Sequence, residues 1–88
     1  MTEVVGDTFK SIVMDPEKDV FVMYYAPWCG HCRNLAPTWE ALAKSYASNP
    51  NLVIAKFDAT ANKVLGVETS GYPTLMFYPS GSNNKEGI

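Results

Sequence analysis

The sequence predicts an α/β domain in which helices pack on a central sheet. Residues 20–26 (VFVMYYA) and 52–57 (LVIAKF) are β-branched and aromatic runs of the kind found in buried strands. Between them, apolar residues recur at helical spacing over residues 32–46. A strand, a helix and a second strand joined by a full crossover imply that the two strands pair in parallel.

The length, composition and net charge indicate one ordinary globular domain. The chain has 88 residues, of which 47% are hydrophobic and 18% charged, with a net charge of −2. A nucleic-acid-binding domain usually carries a basic face, and a membrane span needs about 20 apolar residues. The sequence shows neither feature, and its start, MTEVVGDTF, does not resemble a signal peptide. We therefore expect neither nucleic acid nor membrane as a partner.

The first elements follow from capping and periodicity. Asp7 is expected to cap a short helix over residues 8–14, which Asp15-Pro16 ends. The strand over residues 20–26 lacks polar alternation, so both of its faces should be buried.

A long amphipathic helix should follow this strand. It includes Cys32, and Pro37 inside it removes a backbone donor and should kink it. Residues 49–51 (NPN) form a turn before the second strand, which Lys56 interrupts with a charge. The apolar positions of the helix are Leu35, Ala36, Trp39, Leu42, Ala43 and Tyr46.

The C-terminal part predicts a short helix over residues 61–67 and a third strand, Thr74–Tyr78. Residues 79–84 (PSGSNN) are a strong turn signal. A hairpin partner for the third strand is then expected, but residues 85–88 (KEGI) look too short to supply one. The edge of the third strand should therefore be bare, and a bare edge invites pairing or aggregation.

Both cysteines and the only histidine fall in four consecutive positions, residues 29–32 (CGHC). Cys29 should lie where the first strand gives way to the helix, beside unpaired N–H groups and the positive end of the helix dipole. Both stabilise a thiolate, so Cys29 is predicted to be the exposed nucleophile. Cys32, one turn along and facing the packed side, is predicted to be the resolving thiol.

The electrostatics of this stretch predict an oxidising disulfide. A free cysteine, with a pKa of about 8.5, is only a few per cent thiolate at neutral pH, and a helix N-terminus or a neighbouring cation lowers that pKa. His31 adds such a cation when it is protonated. A stabilised thiolate favours the reduced form and so makes the disulfide a stronger oxidant. Gly30 should leave the approach to Cys29 open and allow a tight turn, and Trp28 should shield the site or touch a substrate chain.

Other uses of such a cysteine pair fit less well. A disulfide that closes a loop of about 15 residues yields about 3 kcal/mol, so the shorter ring of Cys29 and Cys32 should stabilise less and exchange readily. Zinc prefers four ligands, and the sequence has no second cysteine pair to complete such a set. Attachment of a c-type haem needs a histidine directly after the second cysteine, where Arg33 stands. We therefore expect no metal, and no cofactor beyond the Cys29–Cys32 disulfide itself.

Five short segments carry a resemblance to a known family. They are YAPWCGHC (25–32), LAP (35–37), IAK (54–56), DAT (58–60) and GYPTL (71–75). Together they resemble the thioredoxin superfamily, and most closely the catalytic domains of protein disulfide isomerases. Residues 9–22 look particularly like the second, C-terminal catalytic domain. The resemblance implies a thioredoxin-like fold, with a central mixed sheet flanked by helices. Residues 1–88 would then be a single domain, excised from a multidomain protein, that lacks the C-terminal strand and helix.

The resemblance also implies a function. It is that of a thiol–disulfide oxidoreductase and isomerase, which forms, breaks and rearranges disulfides in folding proteins in the endoplasmic reticulum lumen. Its partners would be unfolded or disulfide-bonded proteins, with glutathione or an upstream thiol oxidase as redox partner. Pro73 would be a cis proline beside the cysteines, and Tyr72 would offer its backbone to an extended substrate segment.

One position departs from the family pattern. The family usually has a buried acid where Met23 stands, and Lys56 resembles the lysine that partners this acid. Lys56 is then either a proton-relay residue or a lysine that merely extends from a strand end into solvent. Without the acid, the resolving step of Cys32 is expected to be slow or to rely on water.

Two other functions remain open. A redox-sensing or client-binding module would use Trp28 and Tyr72 to hold unfolded chains with little turnover. A cytosolic reductant similar to thioredoxin is disfavoured, because the proline that usually separates its cysteines is His31 here.

Overall fold

A computed structural model of the chain describes residues 2–62, 71–82, 85, 87 and 88. In this part of the chain a four-stranded sheet carries one helix on each face. The predicted helix over residues 61–67 lies, from residue 63 onward, outside the described residues. The elements are β1 (Thr2–Val4), α1 (Phe9–Val13), β2 (Asp19–Tyr25), α2 (Gly30–Ser45), β3 (Leu52–Asp58) and β4 (Thr74–Tyr78).

The sheet is mixed, with the strand order β1-β3-β2-β4. β1 and β2 both run parallel to β3, and β4 runs antiparallel to β2. The predicted parallel pairing of β2 with β3 is thus confirmed, as is the third predicted strand, β4. The sequence pattern does not predict β1, because three residues are too few to show a period. Pairing with β3 is what makes this segment a strand.

One face of the sheet packs against α1. Val22 and Tyr24 of β2 point to this face and are fully buried. Phe9 of α1 meets Phe57 and Tyr78 edge-on, with ring centroids 5.7 Å and 6.2 Å apart. The hydroxyls of Tyr24 and Tyr78 share a hydrogen bond of 2.5 Å, so each of these buried polar groups has a partner.

The other face packs against α2. Met23 and Ile54 point to it and are buried together with Trp39 of the helix. The indole N–H of Trp39 donates to the carbonyl of Ala55 at 2.8 Å, and its ring lies edge-on to Phe21 at 4.8 Å. These contacts fix α2 on the sheet, and they confirm that both faces of β2 are buried.

The start of α1 differs from the prediction. Asp7 is not the cap, since it lies in a 3₁₀ turn, Gly6–Thr8, and Thr8 is the residue that precedes α1. The N–H of Val5 donates to Thr8 Oγ1 at 3.0 Å, so the threonine hydroxyl satisfies a donor at this end. The sequence signal is ambiguous here, because Asp and Thr are both good cap residues.

The long helix α2 begins where predicted, directly after Cys29. Cys29 is its N-cap, and the helix continues through Pro37 to Ser45. The kink expected at Pro37 stays a prediction. No helix in the described part of the chain is long and apolar enough to cross a membrane.

The outer edge of β4 is not bare, so that prediction is wrong. Phe77 donates its N–H to the carbonyl of Ile88 at 3.0 Å, and the N–H of Ile88 donates back to Phe77 at 2.9 Å. This pair of hydrogen bonds requires the backbone at Gly87 to lie close to the side chains of β4. A Cβ at that position would come within 2.7 Å of Met76 Sδ and 3.1 Å of the Tyr78 ring.

Replacing Gly87 with alanine should weaken this pair. The added Cβ overlaps the ring of Tyr78, which is buried and has little room to move, so Gly87→Ala should lower the free energy of unfolding by about 1 kcal/mol. Chemical denaturation followed by fluorescence measures the change. Gly71→Ala is the matched control, because a Cβ there meets nothing within 4 Å. Equal losses in the two variants would contradict the packing argument.

Candidate active site

The two cysteines lie at the junction between β2 and α2. The N–H of Cys29 donates to the carbonyl of Ala26 at 3.0 Å, and the N–H of Arg33 donates to the carbonyl of Cys29 at 3.2 Å. Cys29 Sγ accepts the N–H of Cys32 at 3.2 Å. The sulfur therefore occupies the place of the hydroxyl or carboxylate that usually caps a helix.

Both cysteines are buried, which corrects the expectation that Cys29 is exposed. Cys29 retains 6% of its accessible surface and Cys32 4%, and both are free thiols. Ala26 and Tyr72 pack against them and cover the sulfurs. Their exposed surface alone therefore does not distinguish the two thiols.

These contacts move the two thiol pKa values in opposite directions. The hydrogen bond from Cys32 is the main cause that lowers the pKa of Cys29, and it outweighs desolvation. The backbone N–H groups of Cys32 and His31 and the charge of Arg33 lower it further. Burial raises the pKa of Cys32, and so does its hydrogen bond to Cys29. The favoured arrangement is a thiolate at Cys29 and a thiol at Cys32.

Two residues of the CGHC stretch act differently from the sequence interpretation. His31 contributes its backbone N–H, and the cation that acts on Cys29 is Arg33. The effect of a protonated His31 side chain stays a prediction. Gly30 is exposed, its φ is not positive, and a Cβ there would meet nothing within 4 Å. The turn therefore does not require glycine, although the missing side chain does leave the approach to Cys29 open.

Aromatic side chains form a rim beside the thiols. Trp28 is 70% exposed, and its ring lies edge-on to Tyr72 with 5.9 Å between centroids. The Tyr72–Pro73 peptide bond is cis, as the resemblance implies. The structure thus brings Trp28, Tyr72 and the two cysteines together from separate parts of the chain. The substrate-binding roles of the rim stay predictions.

A pocket of about 110 Å³ lies next to Cys32. Met23, which is 2% exposed, forms part of its wall, at the position where the resemblance implies a buried acid. The volume accommodates several water molecules, at about 30 Å³ each. The lining residues are Met23, Tyr25, Ala26, Pro27, Cys32, Arg33, Ala36 and Lys56.

Lys56 reaches this pocket, but its partner is a carboxylate from β1. Its Nζ lies 3.9 Å from Glu3 Oε1 and 5.7 Å from the centroid of the Tyr25 ring. Tyr25 donates its hydroxyl to Glu3 Oε2 at 2.9 Å, and burial together with this hydrogen bond raises the pKa of Tyr25 to about 12. Sequence reasoning misses Glu3, because no local signal places residue 3 opposite residue 56.

The described residues offer no obvious metal site. Within the ranges that the structure describes, no group of three or more His, Cys, Asp or Glu side chains is placed to hold a metal ion.

Comparison with known proteins identifies relatives of this chain. The family model described as Thioredoxin matches residues 1–87. The chain is 56% identical to Protein disulfide-isomerase A4 of Bos taurus over 84 residues, which cover 93% of this chain and 13% of that protein. It is 51% identical to Protein disulfide-isomerase of Saccharomyces cerevisiae over 87 residues, which cover 98% of this chain and 17% of that protein. The chain thus spans less than a fifth of the length of either relative.

Two solved structures share the fold. The first thioredoxin domain of mouse Protein disulfide-isomerase A4 matches with a TM-score of 0.77 and 32% identity, over 98% of this chain and 61% of that one. The Trx4 domain of ERdj5 matches with a TM-score of 0.78 and 28% identity, over 99% of this chain and 80% of that one. Because one of these is a first domain, the similarity to a C-terminal catalytic domain stays a prediction. Sequence and fold agree over nearly the whole length, and the chain belongs to the thioredoxin family.

Proposed function

We propose that the chain is a thiol–disulfide oxidoreductase that forms, breaks and rearranges disulfides in folding proteins. The observation that carries this proposal is the position of Cys29 at the N-cap of α2, where its Sγ accepts the N–H of Cys32 at 3.2 Å. The opposed directions of the two thiol pKa values agree with it. Exchange through a mixed disulfide needs an ionised sulfur that attacks and a second sulfur close by that attacks later. The names of the relatives, protein disulfide isomerases, agree with this class of reaction.

In this mechanism the Cys29 thiolate attacks one sulfur of a substrate disulfide. The substrate S–S bond breaks as the mixed disulfide to Cys29 forms, and the departing substrate thiolate takes a proton from solvent. If another substrate thiolate then displaces Cys29, the substrate disulfides are rearranged without net oxidation. If Cys32 attacks instead, the Cys29–Cys32 disulfide forms and the substrate leaves reduced.

The reverse direction oxidises a substrate. One substrate thiolate attacks Cys29 in the Cys29–Cys32 disulfide, and a second substrate thiolate then displaces Cys29. The lowered pKa of Cys29 favours this direction, because it stabilises the reduced form of the pair. The dithiol itself carries the two electrons, so we propose no separate cofactor. Oxidised glutathione, which is itself reduced to two thiols, or an upstream thiol oxidase would restore the disulfide.

The aromatic rim would hold the substrate chain. Trp28 presents a large apolar ring to solvent, and unfolded or disulfide-bonded proteins in the course of folding expose apolar side chains that can cover it. Tyr72 packs against the cysteines and is joined to Pro73 by a cis peptide bond, and we propose that this segment binds an extended substrate segment. We propose the endoplasmic reticulum lumen as the compartment, because proteins acquire disulfides there as they fold.

Substitution of each cysteine should separate the two steps. The unmodified chain should restore activity to scrambled ribonuclease and oxidise reduced ribonuclease in a glutathione buffer. Cys29→Ser should reduce both rates to background, whereas Cys32→Ser should accumulate a mixed disulfide with the substrate on non-reducing gels. Ribonuclease binding without reshuffling, unchanged in Cys29→Ser, would instead support a client-binding module.

The pH dependence of alkylation should distinguish Cys29 from an ordinary thiol. Because its pKa is lowered, its thiolate persists as the pH falls, and its alkylation midpoint should lie below the value of about 8.5 for free cysteine. Cys32→Ala removes the side-chain hydrogen bond that is the main cause of the lowered pKa of Cys29, so it should raise this midpoint. Cys32→Ser keeps a hydroxyl donor and should raise it less. A midpoint in the unmodified chain equal to that of free cysteine would refute Cys29 as the activated nucleophile.

Trp28→Ala should impair protein substrates selectively. Loss of an interface aromatic should raise the Michaelis constant for scrambled ribonuclease about tenfold. Exchange with oxidised glutathione, which is too small to cover the rim, should change little. Tyr46→Ala is the control, because Tyr46 is 45% exposed and lies at the far end of α2. Equal effects of the two substitutions would show that the rim is not a specific binding site.

A further inference from the structure

The resolving step needs a proton acceptor near Cys32. Its thiol must lose a proton before the sulfur attacks the mixed disulfide at Cys29, and burial raises the pKa of this thiol. The other ionisable side chains in the pocket wall are the cations Arg33 and Lys56 and the phenol of Tyr25. In the described part of the chain, no carboxylate lines the pocket.

Glu3 lies in a row of side chains that leads to this pocket. Glu3 of β1 is opposite Lys56 of β3, and Lys56 is opposite Met23 of β2. Neighbouring strands are about 4.8 Å apart, so the Cα atoms of Glu3 and Met23 are separated by about 10 Å. Side chains that are opposite one another share a face of the sheet, so Glu3 points to the same face as the pocket.

The carboxylate of Glu3 contacts two residues of the pocket wall. Oε2 accepts the hydroxyl of Tyr25 at 2.9 Å, and Oε1 lies 3.9 Å from Nζ of Lys56. The Glu3 side chain is 49% exposed, so its oxygens remain open to water on the other side. Tyr25 and Lys56, which both line the pocket, thus connect the carboxylate of Glu3 to the pocket wall.

Asp58 is the other carboxylate close to Tyr25, but its contacts point elsewhere. It is opposite Tyr25 in the pairing of β2 with β3. Its Oδ1 accepts the hydroxyl and the N–H of Thr60, at 2.6 Å and 2.9 Å, and the N–H of Ala61 at 3.3 Å. These bonds tie Asp58 to the loop that follows β3, which makes Glu3 the better candidate.

We propose that Glu3 is the proton acceptor for the resolving thiol. It acts through water in the pocket rather than by contact with sulfur. This inference rests on the proposed function of the two cysteines. It assigns to a residue of β1 the part that the resemblance implies for an acid at the position of Met23.

The resolving step conserves atoms and electrons. The S–H bond of Cys32 breaks, and its proton passes through pocket water to the carboxylate of Glu3. The electron pair on the Cys32 sulfur forms the bond to Cys29 Sγ as the mixed disulfide breaks. The leaving thiolate takes its proton from solvent, and Glu3 later returns its proton to solvent. No oxidant other than the mixed disulfide is needed.

The pH dependence of the resolving step distinguishes proton transfer to Glu3 from a structural role of this residue. At neutral pH the buried thiol depends on an acceptor, so removing the carboxylate slows the step. Above the pKa of Cys32 the thiolate is already present and no acceptor is needed. The charged and titratable groups around the step are Cys29, Arg33, Tyr25, Lys56, Glu3 and Asp58.

The test is the reaction of the reduced chain with oxidised glutathione, quenched with acid at successive times. The first step places glutathione on Cys29, and the second, driven by Cys32, releases it. General acid–base catalysis contributes about 10²- to 10⁴-fold where the group touches the reacting atoms, so through water we expect Glu3→Gln to slow the second step about tenfold at neutral pH. The first step should be unchanged, and the second steps of the two proteins should converge at high pH.

Glu3→Gln suits this test because glutamine can still accept the hydroxyl of Tyr25, which protects the fold. Glu17→Gln is the matched control, since it removes the same charge from an exposed residue outside the site. Equal second-step rates in Glu3→Gln and the unmodified chain would overturn the proposal. A second-step rate in Glu3→Gln that stays equally low at high pH would overturn the proposal as well, because that result indicates a structural effect.

A second variant tests the same point by restoring the acid. Met23→Glu, combined with Glu3→Gln, places a carboxylate in the pocket wall opposite Lys56. Recovery of the second step at neutral pH is expected, and a folded double variant without recovery would count against proton transfer by Glu3. If the unmodified chain never reacts with oxidised glutathione at Cys29, the proposed function fails first, which is a different result from a normal first step with an unaffected second one.

Discussion

The junction of β2 with α2 is the constraint on which the rest of the site depends. β2 is buried on both faces and paired on both edges, to β3 and to β4, so its C-terminal end is held in place. α2 is held independently, because the indole of Trp39 is hydrogen-bonded to the backbone of β3. Cys29 lies between these two fixed elements, and its sulfur is held where the first free N–H groups of the helix point.

This position distinguishes the two thiols although both are buried to a similar extent. Cys29 receives hydrogen bonds from Cys32 and lies within the field of Arg33, so its ionised form is stabilised. Cys32 donates to Cys29 and is otherwise packed, so burial keeps it protonated. The nucleophile is therefore selected by the hydrogen bonds that Cys29 receives together with the desolvation of Cys32.

The sheet also connects the site to β1, a strand distant from the cysteines in sequence. Met23 gives β2 an apolar residue that packs with Trp39 and Ile54, which an ionised acid at the same position would disturb. A carboxylate on β1 avoids this cost, because one side of Glu3 stays in water while the other touches Tyr25 and Lys56. The proposed arrangement therefore combines an apolar core under α2 with a nearby base.

The sequence by itself determined the elements whose signals are local. The apolar runs of β2, β3 and β4, the spacing of α2 and the placement of Cys29 at a helix start all follow from neighbouring residues, and each is found in the structure. Only the tertiary structure decided that Thr2–Val4 is a strand, that Ile88 pairs with Phe77, and that the Cys29 thiol is buried. The same holds for the contact of Glu3 with Lys56. The physical reason is that these features depend on pairing and packing between residues far apart in the chain, for which no periodicity or local motif carries a signal.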